Sequence, residues 1–208
     1  MKFIAKFLSV LFFPLFVPLY GMFLLFSLKI FSFYPPTYIW KAYITIFMFG
    51  TMVPLTSILI LYMLKIISSM GLEKQRDRFL PYFCTSISYF VCAWMLFQQY
   101  MPTFLSELVI AVAVALLINA VVNIWWKISA HMTGVGGLLG GMLFVSYQFH
   151  INPYNWILIM MFVCGMVAAA RLYLNAHTPG QVVAGLLNGM LCALIIPSLN
   201  LGCRLSIW

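Results

Sequence analysis

Residues 104–126 read FLSELVIAVAVALLINAVVNIWW, and Glu107 is their single ionisable side chain. About 20 mostly apolar residues in a helix cover the ~30 Å hydrocarbon core of a bilayer. A span in lipid must satisfy its backbone internally, so this stretch is expected to be a transmembrane helix. It closes on the tryptophan pair Trp125 and Trp126, as an interfacial aromatic belt requires. A short polar segment follows, Lys127-Ile128-Ser129-Ala130-His131, and then another apolar run begins.

The same alternation extends in both directions. Seven candidate spans run from about Phe7 to Leu28, Tyr43 to Leu64, Tyr82 to Phe97, Phe104 to Trp126, Met132 to Tyr147, Trp156 to Leu174, and Gln181 to Leu199. The first carries Pro14 and Pro18, each of which removes an internal hydrogen bond. That segment, within residues 1–41, therefore either kinks or forms two half-length pieces that dip in and return, leaving six to seven spans. The fifth holds Gly134, Gly136, Gly137, Gly140 and Gly141, and the seventh the pair Gly185 and Gly189. In membrane helices such glycines point to close helix packing.

Composition agrees. The 208 residues are 65% hydrophobic and 7% charged, against roughly 25% charged in a soluble domain. The expectation is an all-α, polytopic transmembrane bundle, one membrane domain over residues 1–208. Five cysteines (Cys84, Cys92, Cys164, Cys192 and Cys203) show no metal-ligand spacing, so neither a zinc site nor a disulfide framework is expected. The net charge of +8 flanks hydrophobic segments rather than a soluble face. Headgroups or an anionic lipid explain it better than nucleic acid. Met1-Lys2 and the apolar stretch behind it resemble a signal sequence without a convincing cleavage site, so a retained first helix is expected.

The polar segments fall into order. Residues 65–81 follow span two, 127–131 follow span four, and 171–181 follow span six. Two spans separate each from the next, so all three are expected on one face. That face would carry Lys2, Lys6, Lys65, Lys74, Arg76, Arg78, Lys127 and Arg171, and the other only Lys29, Lys41 and Arg204. Binding a phosphate dianion needs fixed cations and N–H donors. Cleaving it needs a nucleophile and a proton donor, and histidine suits either role. Lys74, Arg76, Arg78 and Arg171 are the candidate cations, and His131 and His177 the candidate nucleophile and acid. Ser129 and the free N–H groups opening span five add donors at a helix N-terminus.

In order, these residues resemble the integral-membrane type 2 phosphatidic acid phosphatases, relatives of the vanadium haloperoxidases. That family's signatures are Lys-x6-Arg-Pro, Pro-Ser-Gly-His and Ser-Arg-x5-His-x3-Asp. The third is best kept, from Ala170-Arg171 through His177 and Pro179 to Gln181 and Gly185. The second appears as Ile128-Ser129-Ala130-His131, and the first, loosely, as Lys74 to Pro81. The likeness spans residues 74–189, within a phosphatase-like core of residues 65–189. It implies that His177 attacks phosphorus to form a phosphohistidine. His131 would protonate the leaving oxygen and then activate water. Arg78, Arg171, Lys74 and Ser129 would bind the phosphate oxygens. The substrate would be a phospholipid, polyprenyl diphosphate or glycolipid phosphate, with no metal or cofactor required.

The sequence departs from the family at four points. Gln181 stands where the family has the aspartate that orients the nucleophile, and Ala170 where it has serine. Gly71 stands where it has lysine, and Phe79 rather than proline follows Arg78. A glutamine carbonyl can fix the imidazole tautomer but cannot stabilise imidazolium by charge, so a slow enzyme or a non-hydrolytic lipid-binding member both remain open. The run from Lys74 to Arg78 also reads as an ordinary topology signal. His150, Glu107 and Trp125, Trp126 and Trp156 read as interfacial residues. A small transporter is disfavoured, because no inverted repeat is visible and no charge lies deep in a span. The compactness of the chain favours a bacterial inner membrane, and the resemblance implies an extracytoplasmic active face. The raw cation count favours the cytoplasmic side, but without Lys74, Arg76, Arg78 and Arg171 it stands at four against three and decides nothing.

Overall fold

The computed structural model describes residues 2–199, so Met1, Cys203 and Arg204 lie outside the described residues. Nine α-helices account for most of these: α1 (Lys2–Leu11), α2 (Val17–Ser27), α3 (Pro36–Phe47), α4 (Val53–Met63), α5 (Phe79–Gln98), α6 (Thr103–Trp125), α7 (Ala130–Gln148), α8 (Tyr154–Tyr173) and α9 (Pro179–Ser198). Among the described residues there is no strand. Six helical stretches are long and apolar enough to cross a membrane: Lys2–Ser27, Pro36–Met63, Gln75–Gln98, Thr103–Trp125, Tyr154–Tyr173 and Pro179–Ser198.

These six fall within the expected six to seven. α7 is helical over the fifth expected span, but its five glycines, with His131 and Thr133, make it the least oily of the long helices. Its glycines let backbones meet. A Cβ at Gly136 or Gly140 would overlap the carbonyl of Leu186 or Met190 on α9. A Cβ at Gly185 or Gly189 would overlap that of Ser129 or Thr133. The α7–α9 contact is thus backbone on backbone, as small-residue interfaces in membranes permit.

The first apolar segment is two helices. The chain breaks at Phe13, which is extended (φ −62°, ψ 132°), and turns through a 3-10 helix at Pro14–Phe16 into α2. Thr51 covers the break by donating to the Leu15 carbonyl at 2.9 Å. α3 and α4 join through a π-helical turn, Met48–Met52, just ahead of Pro54. A proline leaves the carbonyl four residues back without its helical donor. Here that carbonyl is Gly50's, and the buried Tyr89 hydroxyl donates to it at 2.8 Å. A second buried network ties α6, α7 and α9 together. Asn119 bonds Thr133 at 3.0 Å, and Asn188 donates to Asn119 at 3.0 Å and to the Ala115 carbonyl at 2.9 Å.

Candidate active site

Four side chains from the three polar segments line one cavity, Arg78, His131, Arg171 and His177, together with Tyr82 and Thr85 of α5 and residues 13–15 of the first turn. The three polar segments expected on one face do converge at one end of the bundle. Arg78 ends a 3-10 turn, Gln75–Arg78, and is 5% exposed. That turn is held to α6 by reciprocal bonds. Gln75 Nε2 donates to the Asn123 carbonyl at 2.8 Å, and Asn123 Nδ2 to the Gln75 carbonyl at 2.7 Å. The Arg78 guanidinium donates from Nε to the Leu72 carbonyl at 2.7 Å and from Nη1 to the Ile128 carbonyl at 3.2 Å. It bridges the first two polar segments and is fixed in place before any ligand arrives.

His177 is buried just ahead of α9. Gln181 Oε1 accepts from the Thr178 backbone N–H at 3.2 Å, one arm of a capping box, and lies 3.2 Å from His177 Nδ1. An oxygen that already accepts one N–H offers Nδ1 an acceptor, so the hydrogen sits on Nδ1 and the lone pair on Nε2. The orienting contact expected of Gln181 is therefore present, supplied by an amide. Burial, then the charges of Arg78 and Arg171, push the His177 pKa down to about 4. The imidazole is neutral at physiological pH.

Arg171 sits in the last turn of α8, where a cation suits the helix dipole. Its Nη1 donates to Ser9 Oγ at 3.2 Å, while Nε is buried with no partner. His131 is the second residue of α7, and its Nε2 lies 2.9 Å from the Ser9 carbonyl. A carbonyl only accepts, so Nε2 carries the hydrogen. Phe13 presses edge-on against the same ring at 6.0 Å. Ser129 caps α7, is fully buried, and keeps Oγ without a partner while its own N–H reaches the Gln181 carbonyl at 3.3 Å. Arg171 Nε is thus left unmatched at a cationic cavity, whereas Ser129, expected to bind phosphate, is fully buried and is not among the residues that line it.

Lys74 is not brought to the cavity. It precedes the 3-10 turn with its side chain exposed, because the turn spends its inward direction on Arg78. Glu107, expected at the interface, is 3% exposed inside α6. His150 is exposed at φ 51°, closing α7. Sequence reasoning missed Ser9, which lies in an apolar run far from every motif, and undervalued Lys127. The Lys127 ammonium is half-buried and its pKa is lowered, first by burial and then by Arg78 and Arg171. Its place directly after α6 was the available signal. Among the described residues no three His, Cys, Asp or Glu side chains gather as they would around a metal ion.

By fold this is an all-helical protein with six helices fit to cross a membrane. No family model, curated protein or solved structure matches the chain. Its chemistry is therefore argued from the site itself.

Proposed function

We propose that the chain is a membrane-embedded lipid phosphatase acting on a lipid-linked phosphate or diphosphate. The observation that carries this reading is the convergence of Arg78, Arg171, His131 and His177 on one cavity whose lining contains no carboxylate. A dianion is the ligand such a lining lacks. Two fixed guanidiniums neutralise the phosphate oxygens, and the vacant hydrogen-bonding capacity of Arg171 Nε is filled by them. His177 Nε2, held with its lone pair free, attacks phosphorus. The bond from phosphorus to the lipid oxygen breaks, and that oxygen takes a proton from His131, which burial and Arg171 keep neutral in the empty site and which takes up its second proton when the phosphate dianion lies beside it. Water then attacks the phosphohistidine, the phosphorus–nitrogen bond breaks, and His131 takes the proton that water loses. In phosphoryl transfer positioning and charge stabilisation supply most of the rate. Ser9 holds Arg171 and His131 in the empty site, and the phosphate displaces it.

Two observations favour a second reading, a family member that binds phosphorylated lipid without cleaving it. Gln181 brings no charge to the nucleophile, and Ser9 occupies the acid. Phosphate release by purified protein, compared with His177→Ala and His131→Ala, separates the two. The hydrolase reading expects both variants to lose activity by at least two orders of magnitude. Equal release from all three proteins removes it.

A further inference from the structure

Beneath the phosphate cavity the bundle is not fully packed. An apolar cleft of about 130 Å³ lies between α2, α5, α6 and α7, and shares Pro14, Leu15, Thr85, Leu116 and Ala130 with the polar cavity above it. Along α7 its lining runs from Ala130 to Met142, about 18 Å at 1.5 Å per residue. On α6 it reaches Leu105, at the opposite end of the bundle.

The glycines of α7 divide by face. Gly136 and Gly140 meet the α9 backbone, whereas Gly134, Gly137 and Gly141 line the cleft. At Gly134 a Cβ would come within 2.8 Å of Val17, so α2 closes directly on α7 there. At Gly137 and Gly141 it would meet the Gly189 carbonyl at 3.9 Å and a Leu108 methyl at 3.5 Å, ordinary contact distances, so the deep part of the cleft admits a methyl without a clash. Packing against α9 accounts for the first pair and, through Gly189, whose Cβ would come within 2.8 Å of the Gly137 nitrogen, for Gly137 as well, but not for Gly141. A cationic pocket continuous with a narrow oily slot matches one amphiphile, a phosphate on a hydrocarbon chain.

We propose that this cleft receives a single hydrocarbon tail of the phosphorylated lipid, drawn inside the bundle rather than left in the bilayer. This rests on the reading that the polar cavity takes the lipid's phosphate. It adds that the ligand is selected by one linear chain. An extended alkyl chain advances about 1.25 Å per carbon, given C–C bonds near 1.5 Å, so about 14 carbons match the length of the lining. A cavity of roughly 150 Å³ holds about one benzene, so the whole chain enters only as the helices around the cleft move apart.

The test needs no turnover. A non-cleavable alkylphosphonate carrying a photoreactive diazirine near about the third or about the twelfth carbon is irradiated with the whole protein in detergent, and adducts are mapped by mass spectrometry. The near label is expected on Pro14, Leu15 or Leu116, and the far label on Leu105, Leu108 or Met142. Gly141→Leu, which fills the deep end without touching the polar site, is expected to abolish the far adducts and keep the near ones. An excess of unlabelled alkylphosphonate should compete, and the alcohol of the same length should not. Far adducts on outward residues such as Ile159 or Leu187, equal competition by the alcohol, or no site-specific adducts would each overturn the proposal. Cleft adducts without any phosphate release would sink the hydrolase reading alone. Phosphate release with adducts outside the cleft would sink the tail cleft alone.

Discussion

Replacing Gln181 by glutamate keeps the length of the side chain and changes only its charge. The amide oxygen that stands 3.2 Å from His177 Nδ1, steadied by the Thr178 N–H, becomes a carboxylate oxygen in the same place. In the native protein the His177 pKa is held at about 4 by burial and by the charges of Arg78 and Arg171. An opposite charge at this range moves a pKa by about 1–3 units toward the charged form, so Gln181→Glu should titrate at about 5–7. Each unit is about 1.4 kcal/mol in favour of the imidazolium. A phosphohistidine ring is electron-poor in the same sense, so turnover is expected to rise, by up to about tenfold per unit if forming the intermediate limits the rate. On the hydrolase reading His177 attacks in its neutral form, which fixes the sign of the pH effect. The acidic limb of the activity profile should move upward from about 4. Carbon-13 chemical shifts of labelled histidine, followed against pH in detergent micelles, read the pKa directly. An unchanged or lowered His177 pKa would refute the claim that Gln181 faces the imidazole.

Other consequences concern stability. Because His177 is held neutral below its ordinary pKa, the unfolded chain binds a proton that the folded chain refuses between about 6.5 and about 4. Stability conferred by this group is present above 6.5 and is lost as pH falls through 4, on the order of 3 kcal/mol in all; His177→Gln should flatten that part of a melting-temperature series. Gly140→Ala drives a methyl into the Met190 carbonyl and is expected to cost about 1–3 kcal/mol or more. Gly165→Ala, with nothing within 4 Å, should leave the melting temperature unchanged or slightly raised, and equal melting of the two variants would count against the α7–α9 contact. Tyr89→Phe strands the Gly50 carbonyl below Pro54 and should cost about 1–3 kcal/mol, read by the same melting assay.

The helices were legible because hydrophobic run length is a local property. α6 occupies 103–125 where 104–126 was expected, and the other long helices agree to within a few residues at most ends. The exception is the second span, whose helix begins at Pro36 rather than near Tyr43, because a proline at the first helical position starts a helix without losing a needed donor. Among the site residues, Arg78, His131, Arg171 and His177 were legible as chemistry at fixed spacing, each beside an apolar run. Lys74 was misjudged because spacing within a basic run does not say which cation turns inward. That choice belongs to the 3-10 turn and to the Leu72 and Ile128 carbonyls it meets.

Ser9 shows what local pattern could not supply. It carries no motif, and within α1 its hydroxyl donates back to the Ala5 carbonyl at 2.9 Å, an ordinary way for a helix to absorb a serine in an oily run. Only the break at Phe13 folds α1 back far enough to set Ser9 over both Arg171 and His131. The contact is weak for the groups it engages. A neutral hydroxyl and a carbonyl answer one arm of a guanidinium and one imidazole N–H, and Arg171 Nε stays unmatched. Charge-assisted bonds are roughly twice as strong as neutral ones. On the proposed function an anion of phosphate geometry is therefore expected to outcompete Ser9 for the same donors, while a neutral headgroup has no such advantage. Discrimination between charged and uncharged lipids would then arise at the step that lifts Ser9 away.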